Sequence, residues 1–247
     1  MSFTTATAAL LLAVAALAPT ERPEAAHGLP PGLRLERPSY VAIYDGRARV
    51  PALVAEYLTP DRLEGSARRD GLGFRSDPTV PAEFRPTLAA YNGSGFDFGH
   101  LAAAANHKRS FDDLAATFLV SNAAPQAHDF NAGAWLALEN HARDLAAAHG
   151  ETWIYSGPAY WAEPGQTLTI DRLGEIWVPT HFFKVLVSRD RGQLAARAWL
   201  LPANAKSTVP LERFAVPIDL IERAAGLDLL DRLNPDLEAT LEREAHP

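Results

Sequence analysis

Between Asn131 and His149 apolar side chains recur at Trp135, Leu138, Ala142 and Leu145, and Gly150 follows. One stripe at helical spacing with a stop signal behind it predicts a long helix. The runs on either side have strand character. Ser39-Tyr-Val-Ala-Ile-Tyr44 leads into Asp45-Gly46, a hairpin turn signal, and Val50 to Leu58 predicts the return strand. Thr117-Phe-Leu-Val120 reads as a buried strand. Further strands are predicted at Thr152 to Ser156, Glu175 to Pro179, Phe182 to Val187 and Leu194 to Leu201, the last entered by a turn at Arg189-Asp-Arg-Gly192. Short helices are predicted at Ser110 to Ala115 and Ile218 to Ala225, the second stopped by Gly226. An order of mixed type, mostly β early, makes the fold class α+β with an antiparallel sheet. The polar stretch Thr59 to Pro86 reads as a long surface segment, a length that usually has a functional reason.

With 247 residues, 47% of them apolar, the chain can fill one large core. It has no cysteine, which removes disulfides, thiolate metal sites and a cysteine nucleophile together. The formal charge is −7, a balance that speaks against a uniformly basic nucleic-acid binder. The charge is uneven, however. Leu211 to Pro247 carries nine acidic and four basic side chains, whereas Asp61 to Arg109 carries seven basic against six acidic. Gly93, Gly95 and Gly99 have the wrong interval for a dinucleotide fingerprint, and there is neither a P-loop nor a Gly-x-Ser-x-Gly elbow.

Residues 1–28 read as a signal peptide or a disordered leader. Thr5 to Ala18 is apolar but too short for a membrane span, so no stable membrane association is expected of the mature chain. Ala16-Leu17-Ala18 is a small-residue cleavage signal, although no Lys or Arg precedes Arg22 and Pro19 follows the cut. One domain over 29–226 and an acidic C-terminal tail over 227–247 complete the expected organisation.

The informative window runs from Gly93-Ser-Gly-Phe-Asp-Phe-Gly-His100 through Asn106-His107-Lys108 and Ser121-Asn122-Ala-Ala-Pro125-Gln126 to Asn131-Ala-Gly-Ala-Trp135-Leu-Ala-Leu-Glu139. Taken singly, these residues have ordinary roles. His100 alone is a structural histidine, Asn131 a helix N-cap, Glu139 an exposed helix charge, and Asn122 a partner for buried backbone. Together the window resembles the DNA/RNA non-specific endonuclease family, marked by Asp-Arg-Gly-His, Ser-Asn-x-x-Pro-Gln and Asn-x-x-x-Trp-x-x-x-Glu, and is most similar to its endonuclease G branch. Val178-Pro-Thr-His-Phe-Phe-Lys-Val185 and Pro210-Leu-Glu-Arg-Phe-Ala-Val-Pro-Ile218 carry the same likeness.

The resemblance implies a ββα-metal nuclease fold, a central antiparallel sheet flanked by helices, and hydrolysis of DNA and RNA without sugar preference. In it His100 matches the general base that activates water. Asn131 matches the direct protein ligand of Mg²⁺, for which Mn²⁺ is a substitute. Glu139 matches a carboxylate that holds waters of the metal's shell, and Asn122 a polar residue that helps fix the site. Mg²⁺ keeps most of its waters and needs few protein ligands, and an imidazole accepts a proton near neutral pH. Arg68, Arg69, Arg75 and Lys108 are the candidates for binding substrate phosphate. DNA and RNA are the implied partners, with a homodimer as the implied assembly.

The sequence departs from the family at one telling place. Asp97-Phe98-Gly99-His100 has Phe where the family has Arg, a loss of a guanidinium that ordinarily binds phosphate. The alternative function is therefore a catalytically weakened nuclease-fold protein that binds nucleic acid or regulates. The leader lacks the Arg-rich look of a transit peptide, so export to the periplasm or the exterior is expected, with mitochondria as the alternative.

Overall fold

The computed structural model describes residues 23–162, 167–190 and 192–243. The leader's apolar run and its cleavage signal lie outside the described residues. The central element is a six-stranded antiparallel sheet formed by β1 (Leu33–Glu36), β2 (Tyr40–Asp45), β3 (Val50–Leu58), β6 (Thr152–Ala159), β9 (His181–Asp190) and β10 (Gln193–Pro202), in the order β1-β2-β3-β6-β9-β10. Two smaller pairs complete the strands: β4 (Phe96–His100) with β5 (Ala123–Ala127), and β7 (Arg172–Leu173) with β8 (Ile176–Trp177). The helices are α1 (Pro60–Leu63), α2 (Phe111–Thr117), α3 (His128–Phe130), α4 (Leu136–His149), α5 (Ile218–Ala225) and α6 (Pro235–Arg243).

The strand period of two sorts β9 onto both faces of the sheet. Phe182 and Leu186 join one core with Trp135, Leu138, Ala142 and Leu145 of the long helix. Phe183, Val185 and Val187 join the other with Ile218, Ile221, Leu229, Leu230 and Leu241. The sheet is thus covered on both faces, with α4 and the β4–β5 pair on one side and α5 and α6 on the other. Burial of both faces is why β9 reads as a nearly continuous apolar run. The one charge in its buried centre, Lys184, faces the α4 side.

The β2–β3 hairpin turns where expected, at Asp45. Its Oδ1 accepts from the backbone N–H groups of Arg47 (2.7 Å) and Ala48 (3.2 Å), and Arg49, at φ 58°, supplies the left-handed residue before β3. Thr117 to Val120 is not a strand. Ser110 caps α2 by accepting from Asp113 N–H at 3.0 Å, and the helix runs to Thr117 with Leu114 to Thr117 buried. Beyond it only Leu119 bridges, to Arg75. A short buried apolar run has no period that separates helix from strand. The packed body also extends past both ends of 29–226. Trp153 Nε1 donates to Pro23 O (2.8 Å), His27 Nδ1 lies 3.1 Å from the Tyr155 hydroxyl, and Leu229, Leu230 and Leu241 are buried.

Candidate active site

His100 ends β4, paired with Ala123 of β5. Its carbonyl accepts from Trp135 Nε1 at 2.9 Å, which ties the strand to the helix beside it. Gly99 leaves room for the end of the Gln126 side chain on β5, which a Cβ there would meet. Asn122, fully buried, accepts from Ala102 N–H (2.8 Å) and donates to the carbonyls of Ala102 (3.0 Å) and Thr117 (2.9 Å). It therefore fixes the chain leaving His100 through backbone bonds.

The helix beside the strand begins earlier than its periodicity implies. It starts at His128, widens into a π turn over Asn131–Trp135, and continues as α4. Asn131 is therefore the fourth helical residue and not the N-cap, a position held by Ala127 without a side-chain bond. Asn131 Nδ2 donates to Asp97 Oδ2 at 2.9 Å, and His128 Nδ1 lies 2.9 Å from the same oxygen. Side chains on a helix lean toward its N-terminus, and Glu139 reaches back one turn to a side-chain bond with Trp135. Under it the Lys184 ammonium lies 4.4 Å from the centre of the Trp135 ring. Enclosure pushes the Glu139 carboxyl up to about 7, with Lys184 and Arg143 opposing the shift and Glu56 adding to it. Glu56 is itself fully buried and accepts from Asn106 Nδ2 (2.8 Å), with His107 Nε2 at 2.9 Å, which gives His107 a structural place.

The ring of His100 sits among aromatics. Phe74 lies 4.7 Å away and Phe118, edge-on, 5.0 Å away. Phe98 stacks between Tyr91 (3.8 Å) and Phe74 (4.7 Å), so the residue in the arginine position builds a wall and not a phosphate clamp. Burial lowers the imidazole to about 4, with Arg69 and His107 adding to the effect and Glu56 opposing it. Its Nε2 is covered and has no hydrogen-bond partner. The base candidate is thus a neutral imidazole through the physiological range.

Arg68, Arg69 and Lys108 converge, because Ala67 N–H donates to Lys108 O at 3.1 Å and draws their segments together. They line one cavity of about 390 Å³ with Ala67, Asp70, Ala104, Ala105 and Leu114. Arg68 pairs with Asp70 at 2.6 Å, and Arg69 is the member whose charge is felt at His100. Arg75 stands apart, its backbone bridged to Leu119 and its side chain outside that cavity. Sequence reasoning left Asp97, His128, Phe74 and Lys184 without roles. Asp97 lay inside the quoted motif, and Lys184 was the lone charge in an apolar strand.

The donors on the helix that packs against β4 suit a hard, hydrated cation, for the amide of Asn131 and the carboxylate of Glu139 both offer oxygen. Among the described residues the cluster of three close carboxylates is elsewhere, at Asp219, Glu222 and Glu242. The fold thus brings together a strand bearing a neutral imidazole, a helix bearing an amide and a carboxylate, and a basic cavity. The DNA/RNA non-specific endonuclease family model matches residues 25–236, and the chain belongs to that family, on its endonuclease G branch. It is 43% identical over 212 residues to mitochondrial endonuclease G of Homo sapiens, covering 82% of this chain and 71% of that protein. To nuclease C1 of Cunninghamella echinulata var. echinulata it is 39% identical over 210 residues, covering 81% and 83%. A crystal structure of an EndoG/EndoGI complex superposes with a TM-score of 0.83 at 31% identity, over 88% of this chain and 95% of that one. The ββα-metal expectation of an α+β fold with a central antiparallel sheet holds, and the chain is a nuclease.

Proposed function

We propose that this nuclease hydrolyses phosphodiester bonds of both DNA and RNA, with His100 as general base and Asn131 as protein ligand to Mg²⁺, or to Mn²⁺ in its place. The observation that carries the reading is the covered, partnerless Nε2 of His100, a basic nitrogen kept neutral beside the helix that bears Asn131 and Glu139. His100 takes a proton from water as its oxygen forms the new bond to phosphorus and the bond to the leaving sugar oxygen breaks. The cation, when bound, stabilises charge on the phosphate and the leaving oxygen. Glu139 orders water on the cation's side, Asn122 holds the backbone behind His100, and Arg68, Arg69 and Lys108 receive the flanking phosphates. Arg75, outside their cavity, is the weakest member of that basic set.

Purified protein is expected to degrade plasmid DNA and RNA with Mg²⁺ or Mn²⁺, to stop in EDTA, and to lose cleavage in His100→Ala. Equal activity of wild type and His100→Ala would remove the base from this reading. The aromatic wall around Phe98 favours a second reading, a site weakened by its missing guanidinium and tuned to binding or to single strands. A panel of single- and double-stranded substrates separates the two. The homodimer is a further expectation, checked by light scattering. The relatives whose names give a compartment are mitochondrial, which favours that alternative over export. Fractionation of cells expressing the full chain decides between them. No helix among the described residues is long and apolar enough to cross a membrane.

A further inference from the structure

We propose that Asp97 makes Asn131 a metal ligand by orienting its amide, and that His128 holds Asp97 for that task; this rests on the reading of Asn131 given above. A primary amide is ambiguous, with a donor on one side and an acceptor on the other, and only the acceptor serves a cation. A carboxylate only accepts. With Asp97 Oδ2 2.9 Å from the amide, the nitrogen must face it, since the opposite flip would set Oδ1 against a charged oxygen. Nδ2 is thereby committed, and Oδ1 is turned away from Asp97 and left for a hard ion.

A single hydrogen bond at a part-exposed site competes with water. Asp97 keeps 34% of its side-chain exposure and His128 75%, so burial alone does not hold the carboxylate in place. The second donor supplies the hold. His128 Nδ1 lies 2.9 Å from the same Oδ2, and the backbone N–H of Asn131 bonds the carbonyl of His128. Anchor and ligand therefore sit one turn apart on the same rigid helix start, and Asp97 reaches both from β4. This gives the Asp of Asp97-Phe-Gly-His100 a duty independent of the residue that follows it, so the ligand stays oriented although the neighbouring arginine is replaced by Phe98. Asp97 and His128 act here as positioning residues.

The test reads metal affinity without nucleic acid, by Mn²⁺ electron paramagnetic resonance on the full chain, with thermal melting as the folding control. Wild type is expected to bind one Mn²⁺ and Asn131→Ala to lose it. Asp97→Leu should weaken binding by roughly ten- to a hundredfold, the usual effect of removing a partner that orients a ligand. Asp97→Asn can still accept through its own oxygen and should restore affinity to within a few-fold of wild type. His128→Phe should cost a few-fold, with His128→Gln closer to wild type. Should Asp97→Leu not fold, Asp97→Ala takes its place, with the same expected loss of affinity. If Asn131→Ala loses the ion while the Asp97 and His128 variants bind like wild type, the orienting role is overturned and the ligand stands. If Asn131→Ala binds like wild type, the ligand assignment falls and takes the orienting role with it.

Discussion

On the helix side of the site, Asn131, Asp97, His128, Glu139 and Lys184 are held by hydrogen bonds and charge. On the strand side, His100 is held by the rings of Phe74 and Phe118, with Phe98 stacked behind. Enclosure acts on both halves and moves their titrating groups in opposite directions, Glu139 up to about 7 and His100 down to about 4. In each case the neutral form is favoured. For the imidazole that is the form that accepts a proton. For the carboxyl it is a cost that a nearby cation, Lys184 or a metal, offsets.

If the halves are separable, His100→Ala should lower single-turnover cleavage by about 10²–10⁴-fold while Mn²⁺ affinity stays within a few-fold of wild type. Loss of the metal together with the base would show that the two halves form one coupled unit. Phe98→Arg tests the aromatic half next. A guanidinium there regains a charge-assisted contact to phosphate, and cleavage at low salt should rise about tenfold. The same change opens the ring wall, so the acid limb of the rate profile should move up from about 4 toward 6.5. An unchanged rate would mean that the wall is the working form of this site.

Stability provides a third and smaller contrast, measured on metal-free protein. The Glu139 carboxyl has a folded value near 7, above the ordinary 4.5, so its contribution is complete below pH 4.5 and is lost as pH rises through 7. Glu139→Gln should therefore melt higher than wild type at pH 8 and equal it at pH 4.5. His100, folded near 4 against an ordinary 6.5, contributes fully above pH 6.5 and loses that contribution as pH falls through 4. His100→Asn should close the gap to wild type over that acid window. Each effect is on the order of 1 kcal/mol, about 2–4 °C in a domain of this size. Gains confined to the same pH window would break the contrast.

What was legible in the residues follows the same division. The helix stripe, the strands and the motif residues His100, Asn131 and Glu139 depend on local period and spacing, which a sequence displays directly. The orientation of Asn131 depends on Asp97, 34 residues away, and the wall around His100 joins Phe74 and Phe118 across 44 residues; neither leaves a local trace. Lys184 was hidden because an unbroken apolar run has no period that says whether its one lysine is buried or reaches solvent. The length of α2 was hidden for a related reason, since Leu114 to Thr117 is buried and a buried helix end resembles a buried strand.

Arg69 and Lys108 give the smallest and most local test, because Arg69 belongs to both descriptions of the base half. It lines the basic cavity, and its charge adds to the lowering of His100. Lys108 lines the same cavity without that second influence. Each substitution to Ala should raise KM a few-fold and reduce the salt dependence of binding by about one phosphate contact. Arg69→Ala alone should also raise the acid limb of the rate profile, by less than Phe98→Arg does. If Lys108→Ala moves that limb equally, the field at His100 comes from the basic cavity as a whole, and the aromatic wall is not what distinguishes this half of the site.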